Sequence, residues 1–414
     1  MSEPASAPAS RTALAFIFIT MLIDTIGLGI IIPVTPAIIK HLTGQELGGA
    51  ASWGGWLLFV YALMQFFSAP VIGNLSDRYG RRPVLILSLV MLAVDYAITG
   101  WAPTIGWLFL GRILSGAAGA SYPTANAYIA DVSPPEQRAA NFGLTGAAFG
   151  IGFVLGPLLG GYIGELWGPR APFFVAAGFA LANALFGLLV LKESLPPERR
   201  RKFELWRANP IGSLAVLNRF PMILSLFGVA ILLRLAHDVN PSTWSYYVML
   251  KFHWTSAQVG YSLTAVGALT AVSFGVLPRI IVPRIGETRA VYVGLFFTGL
   301  GYAGYAFAAT PWQLYAWMVV WALGGIGGPA LNAIMSRQVP ANEQGELMGA
   351  LGSADGITSI IAPLVLTGLF SYFTSGHAFI YFAGASFLAA ALLEFSALGL
   401  FALRQPRISA QPAA

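Results

Sequence analysis

The chain has no cysteine and little charge: of 414 residues, 10% are Asp, Glu, Lys or Arg. Without cysteine there is no disulfide, no thiol chemistry and no Cys metal site. A soluble domain carries about a quarter of its residues charged, so a water-soluble body is excluded. The four histidines, His41, His237, His253 and His377, are scattered without metal-ligand spacing, so no metal site is expected. No G-x-x-x-x-G-K-[ST] loop is present, which removes ATP-driven work by this chain alone. Nor is there a catalytic constellation, so an enzyme is not expected. Met1 to Ser10 are small and polar with no signal-peptide design, and the first apolar run is long enough to remain as a helix.

What is present is apolar: 57% of the residues are hydrophobic. A membrane-spanning helix needs about 20 mostly apolar residues. The chain divides into twelve such segments, starting near residues 12, 52, 83, 105, 141, 170, 218, 257, 289, 312, 343 and 377. The expected fold is an all-α polytopic membrane protein. With both termini in the cytoplasm, eighteen basic residues fall inside, Lys40, Arg170 and Lys251 fall outside, and Arg112 and Arg234 fall within helices. That asymmetry is what the positive-inside bias produces. The net charge of +6 therefore follows the bilayer, and no nucleic-acid partner is expected.

Between two apolar stretches lies Gly73-Asn74-Leu75-Ser76-Asp77-Arg78-Tyr79-Gly80-Arg81-Arg82-Pro83, read as a tight charged turn at the membrane surface. A short cytoplasmic loop can be basic for topological reasons alone. The full pattern G-x-L-x-D-R-x-G-R-R, however, resembles the signature loop between the second and third helices of the major facilitator superfamily. That resemblance implies twelve transmembrane helices in two six-helix bundles.

The longest polar stretch runs from Lys192 to Pro210. It suggests an N-terminal bundle over 1–191, a cytoplasmic linker over 192–216 and a C-terminal bundle over 217–414. A weak repeat joins the halves: Pro123-Thr124-Ala125-Asn126-Ala127 matches Pro329-Ala330-Leu331-Asn332-Ala333 at a shift of 206 residues, and Gly143 and Pro157 match Gly349 and Pro363. Parallel repeats of this kind place a substrate site near the midplane, exposed alternately by rocking of one half against the other.

Three stretches resemble the drug:proton antiporter branch, and within it the tetracycline-resistance efflux group. They are Asp24 to Pro36, Arg112 to Gly119 and Gly152 to Gly161, the last matching the antiporter motif. Tyr61 to Phe66 and Leu195 to Arg201 are similar to the same group. The resemblance covers the N-terminal half strongly and the C-terminal half mainly by topology. It implies proton-coupled efflux of a drug-like small molecule by alternating access, with tetracycline as the candidate. It implies no bound cofactor, the proton as coupling ion, magnesium carried with the substrate, a functional monomer and residence in the bacterial inner membrane. A proton-coupled or facilitative importer of a metabolite remains the alternative, and a non-transporting membrane receptor is a rival of another class.

Asp24, Asp95 and Arg112 lie inside expected helices, where ionisable groups are costly and face a cavity or a partner. Burial disfavours the charged form of a carboxylate, which suits a group that takes up and releases protons. These three are the expected proton-coupling residues; the alternative is a static Asp–Arg pair supporting the fold. Met318 occupies the position that matches Arg112 by the repeat, so this machinery is expected in the first half alone. By the resemblance, Asp77, Arg81 and Asp131 form a gate: Arg81 pairs with Asp131, and Asp77 meets the start of the eleventh helix near Gly345 to Gly349. Gly152, Gly156 and Gly160 recur every four residues and let helices approach closely. With Pro157 and Gly161 they read as a conformationally sensitive bend or as ordinary tight packing.

For the cavity wall, Tyr61 and Gln65 share a helix face, and Asn126 lies one turn from Tyr122. In the seventh helix Arg234, His237 and Asp238 share a face, followed by Trp244 and Tyr247. Charge beside aromatic surface suits a flat, partly polar molecule. The alternatives are a helix-packing triad and an interfacial aromatic belt. The chain departs from the tetracycline exporters in its C-terminal half. Those carry an acid in the ninth helix and, in several members, a histidine in the eighth; here the ninth, read as Tyr292 to Phe307, has no acid, and the eighth, read as Gly260 to Pro278, has no histidine. Asp355 stands in the eleventh helix instead, and Glu394 in the twelfth, expected nearer the cytoplasmic side.

Overall fold

The computed structural model describes residues 11–119, 121–201, 221–340, 343–376 and 378–409. Most of the linker, with Lys202 and Arg207, lies outside the described residues, as do Arg219 and His377. Among the described residues, ten helices are long and apolar enough to cross a membrane. Two further crossings are each made of two shorter helices, Ile105–Ala118 with Ser121–Val132 and Pro221–His237 with Val239–Phe252. The twelve crossings, in chain order, are those expected.

Both interruptions have a backbone cause. Pro123 cannot donate to the carbonyl four residues earlier, so the fourth crossing breaks at Gly119, whose N–H instead bonds Gly116 O. Pro241 likewise leaves the His237 carbonyl without its helical donor, and the seventh crossing restarts at Val239 with Asp238 as its N-cap residue.

The charged turn is shorter than its sequence suggests. Helix Leu47–Tyr79 has 33 residues, roughly 50 Å at 1.5 Å per residue, against a hydrocarbon layer of about 30 Å. It therefore continues past the membrane edge and carries Gly73 to Tyr79 in helical form. The reversal is confined to Gly80, at φ 107°, a backbone region open to glycine at little cost. Helix Arg81–Trp101 starts at the next residue.

Packing follows membrane rules. The sixth crossing, Ala171–Val190, buries Ala176, Ala180, Asn183, Ala184 and Gly187 and exposes Phe174, Leu181, Leu185 and Leu188. Small residues face inward because they permit close helix contact, while large apolar ones meet lipid.

The chain forms two compact units. One comprises Met1–Thr43, Val60–Asn209 and Thr255–Thr264; the other comprises Gly44–Phe59, Pro210–Trp254 and Ala265–Ala414. Two segments thus group against their order in the chain. Gly54 and Gly55 lie against Tyr246 and Thr367 in the second unit. In the first, Thr264 Oγ1 donates to Val154 O at 3.0 Å and Ala257 N to Glu165 Oε2 at 3.2 Å.

Candidate functional site

In the first unit Asp95 is fully buried and Asp24 nearly so. Arg112 Nη2 donates to Asp95 Oδ2, and Thr99 Oγ1 donates to Asp95 Oδ1 at 3.3 Å. The Tyr61 ring lies 5.8 Å from the Arg112 guanidinium carbon, within cation–π range. The charges of Asp24, Asp95 and Arg112 all act on Tyr61 and Tyr96, so the three expected proton-coupling residues share one cluster. It spans the first four crossings.

Gln65 borders this cluster. Its Nε2 donates to Tyr61 Oη at 3.3 Å and to Gly119 O at 3.2 Å. Gly119 O is the acceptor that Pro123 leaves without a helical donor, so Gln65 closes the break in the fourth crossing. Asn126 Oδ1 accepts from Thr145 Oγ1 at 3.3 Å, tying the fourth crossing to the fifth. The side chain of Tyr122 lies outside the described residues.

At one end of the same unit, Arg81 is 2.5 Å from Asp77 and 3.1 Å from Asp131. Ser194 Oγ donates to the same Asp131 oxygen at 3.1 Å. Glu193 accepts the backbone N–H of Arg81 at 2.8 Å and of Arg82 at 3.2 Å. A carboxylate there satisfies orphan donors at the start of the third crossing and complements its dipole.

The glycine stripe of the fifth crossing, Arg138–Trp167, packs on the first, Arg11–Ile31. A Cβ on Gly156 would come within 2.8 Å of the Gly29 Cα and of Ile26 O, so only glycine allows this approach. Gly152 faces Thr25, Gly160 faces Ile30, and Gly161 faces Ser256 and Gly260. The helix runs without a break through Pro157.

The second unit holds a cavity of about 280 Å³. Arg234, His237 and Asp238 all line it, beside Asn332 and Asp355. Arg234 Nε lies 2.7 Å from Asp355 Oδ1. One wall is the glycine-rich kink of the tenth crossing, from Gly324 to Gly328. Trp244 and Tyr247, expected on a cavity wall, do not line it. Both are buried: Trp244 packs edge-on to Tyr305, and Tyr247 Oη donates to Tyr305 O at 2.5 Å. They belong to the aromatic packing of the unit.

Glu394, expected towards the cytoplasmic side, stands in helix Ala385–Ser409, nine residues after its start and fifteen before its end. Its carboxyl is fully buried, with Oε1 3.9 Å from His237 Nδ1.

Residues 17–321 and 226–413 match the sequence model of the Major Facilitator Superfamily. The chain belongs to that superfamily. It is 38% identical over 362 residues to the class C tetracycline resistance protein of Escherichia coli, covering 87% of this chain and 90% of the relative. It is 38% identical over 359 residues to the class G tetracycline resistance protein of Vibrio anguillarum, covering 84% and 88%. In fold it is similar to a bacterial homologue of the human lysosomal transporter Spinster, with a TM-score of 0.80 at 19% identity over 98% of each chain. This facilitator is an integral membrane transporter of small molecules and not an enzyme.

Sequence reading passed over several residues of the facilitator's sites. Glu193 sat at the edge of a polar stretch and read as linker. Asn332 was visible as the repeat partner of Asn126, and the cavity gives that match a place. Glu287 and Arg337 form an ion pair at 2.6 Å, and the same repeat could have found it.

Proposed function

We propose that the chain exports a drug-like small molecule, with tetracycline as the first candidate, in exchange for protons. What carries this reading is the 38% identity, over 87% of the chain, to a class C tetracycline resistance protein. The geometry is compatible with it. The first unit brings Asp24, Asp95 and Arg112 together for proton coupling, and the second holds a largely apolar cavity of about 280 Å³ with Arg234, His237 and Asp238 on its wall.

Arg112 opposes protonation of Asp95 while the two are paired. Breaking the pair by substrate or movement makes proton uptake by the carboxylate easier, which links proton exchange to the cycle. In the cavity, Asp238 is the carboxylate offered to a cation, including magnesium arriving with the drug, Asp355 joins it once released from Arg234, and His237 adds an aromatic ring. Asp77, Arg81 and Asp131 form the gate, Gly152 to Gly161 the antiporter motif. Tyr61, Gln65 and Asn126 have structural partners, so their part in binding is secondary to those bonds. Exchange by a monomer in the bacterial inner membrane, with both termini cytoplasmic, completes the reading.

The test is uptake of tetracycline into proteoliposomes under an imposed pH gradient. Accumulation should require the gradient and be lost in Asp24→Asn and in Asp95→Asn. Flux indifferent to the gradient, or driven flux unchanged in both variants, would rule out the proposed coupling.

A further inference from the structure

We propose that Glu394 and His237 form a proton-carrying pair in the second unit, loaded and emptied through the cavity; this rests on the reading of the chain as a proton-coupled exporter. Glu394 is 0% exposed, and neither of its carboxyl oxygens has a hydrogen-bond partner among the described residues. His237 Nδ1, 3.9 Å away, also lacks one of good geometry, the Leu233 carbonyl of its own helix being the backbone acceptor that acts on the ring. His237 lines the cavity, and its ring packs against Phe274, Tyr302 and Trp321. His237 therefore touches both the cavity and the carboxyl. No other route from the cavity to Glu394 is needed.

The energetics make this pair a carrier. A buried ionised carboxylate without a donor is strongly disfavoured, so Glu394 is tolerated either protonated or opposite an imidazolium. In loading, a proton from the cavity binds the His237 imidazole. The Nδ1–H bond then breaks, its electron pair stays on nitrogen, and an O–H bond forms on Glu394, leaving neutral imidazole and neutral acid. In emptying, these steps reverse and the proton returns to the cavity. The emptied pair is an ionised carboxylate facing neutral imidazole, which this arrangement does not stabilise. Release of the proton is therefore tied to rearrangement of the unit.

Other titratable groups on the helices packed against the twelfth crossing do not replace His237. The seventh contributes Arg234, held by Asp355 of the eleventh, and Asp238 at its break. Its second segment contributes Tyr246, Tyr247 and Lys251, with Lys251 bonded to Tyr247 Oη and Ala306 O. The ninth contributes Tyr302, on which Glu394 acts, and Tyr305.

The test is infrared difference spectroscopy of the full chain in liposomes, titrated with pH and without drug. A protonated-carboxyl band should be present, vanish in Glu394→Gln, and move its midpoint in His237→Gln. Glu394→Asp keeps a carboxyl further from His237, so its band must titrate at a different pH. In transport, Glu394→Gln should lose gradient-driven tetracycline accumulation and keep downhill exchange. A spectrum unchanged in Glu394→Gln, or an unchanged midpoint in both His237→Gln and Glu394→Asp, overturns the pair. Because the spectra need no drug, they decide even where the unaltered chain moves no tetracycline.

Discussion

Glu287 and Arg337 close an ion pair at 2.6 Å, and each stands 206 residues after a member of the Arg81–Asp131 pair, with the opposite sign of charge. Each pair bridges 50 residues of chain. The duplication has thus kept the position of the pair while exchanging its charges. Their surroundings differ. Arg81 also meets Asp77 and Ser76, whereas the Arg337 side chain is 73% exposed.

Exposed pairs contribute little, about 0–1 kcal/mol. Arg337→Ala should therefore leave thermal stability within about 1 kcal/mol of the parent, whereas Arg81→Ala should cost more and reduce transport. Exchanging charges in Arg81→Asp with Asp131→Arg should recover part of the loss, since the pair re-forms with the polarity found in the second unit. Thermal unfolding in detergent and tetracycline uptake by the three variants check this.

Much of the fold was legible because the bilayer imposes it: apolar runs of fixed length and a basic bias need no tertiary knowledge. That Arg112 would meet an acid was legible because charge inside a membrane demands a partner, with Asp24 and Asp95 both on offer, whereas Arg81 with Asp131 was legible only through the resemblance. Trp244 was misplaced because an aromatic beside charged residues reads alike whether it lines a cavity or fills a core. Glu193 was missed because what it binds is backbone, and backbone N–H groups leave no mark in a sequence. The break at Asp238 was hidden for another reason: Pro241 fixes which carbonyl loses its donor, but a proline does not always break its helix, as the continuous helix through Pro157 shows.

Gly80 should be close to irreplaceable. Its φ of 107° disfavours any side chain, and an added Cβ would collide with the Glu193 carboxylate. Gly80→Ala should cost about 1–3 kcal/mol. Glu193→Ala removes the acceptor for the Arg81 and Arg82 amides and should also destabilise, while Glu193→Gln, which keeps one acceptor oxygen, should be milder. The order of the three melting temperatures is the measurement. Gly80→Ala melting with the parent would refute the turn geometry as the constraint.

Gln65 tests structure against binding. If its amide chiefly satisfies the Gly119 carbonyl left by Pro123, Gln65→Leu should cost about 1–3 kcal/mol, the penalty for a buried unsatisfied group. The concentration of tetracycline giving half-maximal uptake should then change little. A shift in that concentration without loss of stability would return Gln65 to the binding surface.

The Asp95–Arg112 pair separates fold from coupling. Removing one member of a buried pair costs about 3–5 kcal/mol because it strands the other charge, while replacing both by neutral groups is often close to neutral. Asp95→Asn strands Arg112 and Arg112→Gln strands Asp95, so each single variant should melt lower than the parent. The double variant should regain most of that stability. If the pair were only structural, the double variant would also regain transport. As a proton-coupling pair it should not: gradient-driven uptake of tetracycline should stay absent in a protein that unfolds almost as the parent does. Melting and gradient-driven uptake measured on the same four preparations decide between the two roles, and full transport by the double variant would assign the pair to the fold alone.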